Sequence, residues 1–76
     1  MANKLAEEIQ QINNWFSYHK PEGDQAERYE QLRAAGGALG RVIAALCPES
    51  HDRDVAIDHV RSAIHWANAS IACQEK

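Results

Sequence analysis

No basic stripe, polybasic run or long apolar stretch occurs in this sequence, and its formal net charge is −3. Without a basic surface, polymeric nucleic acid and anionic membranes are poor candidates for the main partner. The missing apolar stretch leaves no membrane-spanning segment, and no signal-peptide pattern is present. Thiols are few, only Cys47 and Cys73. The helices deduced below put them at opposite ends of a hairpin, roughly 20 residues or ~30 Å apart, beyond disulfide reach. Two unpaired thiols point to a reducing, cytosolic setting.

Signatures of catalysis and metal binding are missing as well. There is no G-x-S-x-G, no acidic pair with an obvious pocket and no Cys–His pair in a nucleophile's context. An enzyme is not expected. Cys47-x-x-x-His51 offers two metal ligands but has no second pair at matching spacing. His59 and His65, six residues apart, turn away from each other on a helix. Neither metal nor cofactor is expected, and repeats and strand-like alternation are absent.

What the chain does have is helical rhythm. With 45% hydrophobic and 25% charged residues it has the balance of a folded protein, and its 76 residues allow one domain, 1–76, with a small core. Leu5, Ile9, Ile12 and Phe16 form an apolar stripe that predicts a first helix over 3–18. Pro21 and Gly23 end it, and Asp24 with Glu27 makes a capping box for a second helix over 25–46. Tyr29, Leu32, Gly36, Leu39, Ile43 and Leu46 give that helix one seam; Ala35, Ala38, Val42 and Ala45 give it another. Pro48 stops it, and Ser50 or Asp52 caps a third helix over 52–73. Here Ile57, Val60, Ile64, Ala67 and Ile71 make the principal seam, and His59, Ala63, Trp66 and Ser70 run beside it. The short link makes the two long helices an antiparallel hairpin. The fold class is therefore all-α: a short N-terminal helix plus a long antiparallel helical hairpin. Two seams per long helix exceed what one hairpin buries, so a homo-oligomer is expected.

Gly36, Gly37 and Gly40 lie inside the second helix, where each costs ~1 kcal/mol relative to Ala. Two explanations stand: close approach of a facing helix, or room for a flat ligand against bare backbone. Groups suited to binding gather in three places. Trp15, Tyr18, His19 and Lys20 cluster at the end of the first helix; Arg33 adjoins the glycines; Trp66 and Asn68 lie on the third helix. Aromatic faces stack on bases, Arg and Lys hold phosphates, and Asn reads a base edge with a paired donor and acceptor. Each Trp alone also suits a core or interface, and the other arginines alternate with acids as solvated pairs.

Four runs then carry a resemblance: Tyr18-His19-Lys20-Pro21, Tyr29-Glu30-Gln31-Leu32-Arg33-Ala34-Ala35-Gly36, Cys47-Pro48-Glu49-Ser50 and Trp66-Ala67-Asn68-Ala69-Ser70-Ile71-Ala72. In this order, over about residues 15–73, they resemble the small phage anti-CBASS proteins that sequester cyclic oligonucleotide signals. That family shares its hairpin with the phage anti-Thoeris sponges. The resemblance implies a homohexamer in the host cytoplasm. It implies binding without cleavage of cyclic dinucleotides such as cyclic GMP-AMP, and of cyclic trinucleotides at separate pockets. It makes Tyr18 the base-stacking aromatic and Arg33 the phosphate ligand, with Lys20 and Asn68 as supporting contacts and His19, Gly36 and Trp66 nearby. The chain departs from the pattern at Cys73, where an Arg is expected in relatives. A function of another class remains open beside it: an oligomeric helical module that docks on and inhibits a host protein, with its aromatics as hot spots.

Overall fold

The first helix begins where Asn3 places its side-chain oxygen 3.3 Å from the amide of Ala6, satisfying one of the free N–H groups of the first turn. A computed structural model of the chain, described here for residues 3–75, gives α1 Lys4–Trp15, α2 Gln25–Leu46 and α3 His51–Gln74. No strand occurs among these residues. The second helix has the bounds the sequence predicts, and the third runs one residue further at each end. The first is shorter than 3–18, because its last carbonyls are taken by side chains. Ser17 Oγ donates to the Asn13 carbonyl, and a ring nitrogen of His19 lies 2.6 Å from that of Asn14. Helix therefore gives way at Trp15, before Pro21 could act.

The expected capping box at Asp24 does not form. Asp24 makes no side-chain cap; its carboxylate accepts from Arg28 Nε at 3.1 Å instead. Gly23, at φ +56°, makes the left-handed turn that precedes it. Ser50 does cap α3, accepting from the Arg53 amide at 3.2 Å.

Helices α2 and α3 fold back antiparallel. At the closed end, Arg53 donates to the carbonyls of Ala44 and Cys47, serving the C-terminus of α2 from the first turn of α3. Arg53 is thus a capping group rather than a solvated pair. At the open end, Glu75 accepts two bonds from the Arg28 guanidinium at 2.5 and 2.7 Å and one from Gln25 at 3.1 Å. These bonds hold the carboxyl down at about 2, chiefly through Arg28 and then Gln25. Between the two ends, Gly36 lets the helix backbones approach. A Cβ there would lie 2.5 Å from Ile64 Cγ1.

The principal seam of α3 faces α2 as its spacing predicts, yet very little of it is sealed. Ile71 is the only buried hydrophobic among the described residues, at 8% exposure. The second stripes, Ala35, Ala38, Val42 and Ala45 on α2 and His59, Ala63, Trp66 and Ser70 on α3, are all exposed. So are Leu39 and Leu46, which the sequence assigns to the closed seam of α2. Helix α1 is tied on at its C-terminal end, where Asn14 Nδ2 donates to the Cys73 carbonyl at 3.0 Å. Its apolar stripe stays open to solvent.

Candidate functional site

The hairpin presents a groove of about 440 Å³ between α2 and α3, floored by Gly36, Gly37 and Gly40 and walled by Ile57, Val60 and Ile64. Its polar lining comes from Arg33, Arg61, His65 and Asn68, and no carboxylate takes part. The helical register explains the grouping. Residues 57, 61, 64, 65 and 68 repeat at i, i+3 and i+4 on one face of α3, opposite the 33–36–37–40 face of α2. Arg61 and His65 were not singled out by the sequence reading. Arg61 lies four residues past the seam residue Ile57 and His65 four past Arg61, and that spacing is the signal that finds them.

Arg33 stands at one end of this groove and borders two further depressions. One, with Tyr29, Asn68, Ala69 and Ala72, lies toward the open end of the hairpin; the other lies beside Glu30 and Ala34. Among the described residues the ion pairs are Lys4–Glu8, Arg28–Asp24 and Arg28–Glu75, so neither Arg33 nor Arg61 has a carboxylate partner there. Asn68 adds an unused acceptor, since its Oδ1 is shielded from solvent and has no hydrogen-bond partner. An unpaired guanidinium beside an unused amide oxygen suits a ligand with both phosphate and amino groups.

A second groove, of about 540 Å³, lies between the end of α1 and the end of α3. Trp15, Phe16 and Trp66 line it, with Cys73 at its base. Trp66 and Asn68 are therefore separated by the fold. Two positions along a helix turn side chains roughly 200° apart, so one enters the aromatic groove and the other the glycine groove. Tyr18 is 85% exposed on the α1–α2 link, and neither it nor Lys20 borders a groove shared with Arg33. His19 is engaged with the Asn14 carbonyl. Of the seven predicted site residues, the fold of one chain brings together Arg33, Gly36 and Asn68 and leaves the other four elsewhere. The closeness of Gly36 to Ile64 favours the packing explanation of that glycine. For Gly40 a Cβ would meet nothing within 4 Å, and for Gly37 only the side chain of Arg41.

No helix among the described residues is long and apolar enough to cross a membrane. Residues 8–72 match the family model described as Acb2/Tad1, hairpin domain. No curated protein and no solved structure matches the chain.

Proposed function

We propose, from the premise that this chain belongs to the Acb2/Tad1 hairpin family of anti-CBASS and anti-Thoeris sponges, that it sequesters cyclic dinucleotides such as cyclic GMP-AMP without cleaving them. By holding the messenger, a phage protein of this kind silences the CBASS effector in the host cytoplasm. Cyclic trinucleotides are a second ligand class, bound at a separate pocket. The arginine expected at position 73 is a cysteine here, which removes a phosphate contact from one of the two pocket types.

The observation that carries this reading is Arg33: a cation without a carboxylate partner, set beside exposed helix backbone and the unused acceptor of Asn68. In a homohexamer the same arginine is offered twice across a two-fold axis, matching the two phosphates of a cyclic dinucleotide. Tyr18 and Lys20 stand free of their own chain's grooves and reach the ligand from a neighbouring subunit. Tyr18 supplies a stacking face and Lys20 a further charge. His19, Gly36 and Trp66 shape the surroundings.

Binding is tested by calorimetric titration with cyclic di- and trinucleotides, followed by recovery of the ligand after denaturation. Stoichiometric uptake and return of intact ligand are expected. A cleaved product, or no binding by any cyclic nucleotide together with capture of one host protein, would move the function to the protein-docking class.

A further inference from the structure

We propose that the depression beyond Arg33, toward the open end of the hairpin, is a base pocket that takes an amino-bearing purine, adenine above all. Tyr29 meets the ring and Asn68 reads the amine. The assignment rests on the sponge reading of the preceding section and adds the base that accompanies the phosphate at Arg33.

The pocket, of about 390 Å³, is lined by Tyr29 and Arg33 from α2 and by Asn68, Ala69 and Ala72 from α3. Tyr29 stands one helical turn before Arg33 on the same face of α2. It is half-buried, so the hairpin holds it in place, unlike Tyr18 at 85% exposure on the link. Ala69 and Ala72 carry nothing beyond Cβ, which keeps the α3 wall low. An aromatic ring beside two methyl groups suits a planar ligand. Tyr18 of a neighbouring copy is then free to cover the other face of the base.

Asn68 decides which base enters. Its Oδ1 is shielded from solvent and has no hydrogen-bond partner. An acceptor withheld from water and left unpaired is a cost to the fold, and a donor brought by a ligand removes that cost. An asparagine amide pairs with adenine through both its ends, accepting from the amine and donating to the adjacent ring nitrogen. A purine lacking the amine leaves the oxygen unpaired. Position ties this base to the phosphate, because Arg33 and Asn68 border both the depression and the glycine groove. No carboxylate lines either one. Glu75, the acid of the open end, is already taken by Arg28 and Gln25.

The test needs no variant to begin. Calorimetric titration of the wild-type protein compares cyclic di-AMP with its analogue in which hydrogen replaces both 6-amino groups. The analogue should bind more weakly by about tenfold or more for each base. Equal affinity, or a preference for the analogue, would overturn the proposal. Asn68→Ala, checked by circular dichroism and light scattering, should weaken cyclic di-AMP and largely erase the difference between the two ligands. Damage to the fold would weaken both alike and keep their ratio, and that result would remove Asn68 as the reader. Photolabelling with an azidoadenine analogue of cyclic di-AMP should place the adduct at Tyr29 by mass spectrometry. An adduct confined to the α1–α2 link would put the base elsewhere and overturn the pocket. Uptake of another cyclic dinucleotide but not of cyclic di-AMP overturns the pocket alone. Binding of no cyclic nucleotide overturns the sponge reading with it.

Discussion

Arg33 and Gly36 lie three residues apart on α2, and the physics at each runs in opposite directions. The side chain of Arg33 has no carboxylate partner among the described residues, whereas Gly36 is spent on internal packing against Ile64. Charge-assisted hydrogen bonds contribute about 1.5–3 kcal/mol each. Arg33→Ala at a two-fold site should therefore cost about 3–6 kcal/mol of ligand binding if the two contacts add. Tyr18→Ala should cost about 1–3 kcal/mol for each lost stack, and Tyr18→Phe much less. Calorimetric titration of these variants checks both values, and wild-type affinity in Arg33→Ala would remove it from the site. At Gly36 the outcome concerns stability. Alanine improves helix propensity by ~1 kcal/mol, but its Cβ would lie 2.5 Å from Ile64 Cγ1, on a stiff β-branched side chain. Overpacking of this kind costs about 1–3 kcal/mol, so Gly36→Ala should lower the Tm. Adding Ile64→Ala should then cost less than it does in the wild type, a coupling that thermal denaturation of the double-mutant cycle measures.

Among the elements, the ends of the hairpin are held by different chemistry. The closed end relies on Arg53 donating to the carbonyls of Ala44 and Cys47, with no carboxylate in the contact. The open end relies on a carboxylate. Because Arg28 and Gln25 hold the Glu75 carboxyl at about 2 in the folded chain, folding stabilises its charged form. That contribution is complete above the unfolded value near 4.3 and disappears as pH falls through 2. The open end should fray in acid while the closed end persists. A carboxyl NMR titration should place Glu75 near 2 in the wild type, and in Arg28→Ala it should return toward the ordinary glutamate value. An unmoved midpoint would mean that the clasp does not form in solution. Amide exchange in acid should accelerate first around Gln25–Tyr29.

The whole molecule is extended for its length. Its radius of gyration is 16.7 Å and its extents are 54 × 30 × 17 Å, whereas a compact chain of this length has a radius of roughly 11 Å. Helix α3 spans roughly 36 Å at 1.5 Å per residue, so the longest dimension requires α1 to reach beyond the hairpin. Large exposed apolar faces of this kind mark interaction surfaces. Light scattering at micromolar concentration should give a homo-oligomer, with a hexamer at six times 8.5 kDa the expected mass. A species of single-chain mass would contradict this and leave the exposed stripes without a purpose.

Most local features were legible in the residues: three helices, the antiparallel return after Pro48, Ser50 as one of two candidate caps of α3, and the seam from Ile57 to Ile71. They follow from near-neighbour physics, in which side-chain periodicity, proline geometry and capping groups act within a few positions of one another. What the sequence left open was settled partly by competition among side chains within a turn or two and partly by partners distant along the chain. His19 reaching back to Asn14 shortens α1, and Arg28 drawing Asp24 away abolishes its cap. Ile64 claims Gly36 but leaves Gly40 uncovered, so the two explanations of the glycines hold at different positions. The separation of Trp66 from Asn68 and the convergence of Arg33 with Arg61 were likewise decided by the rotation of α3 against α2. A seam in the sequence states that a stripe must be covered. Which stripe meets which is fixed only when the helices pack, because each apolar face is equally satisfied by its own chain or by another.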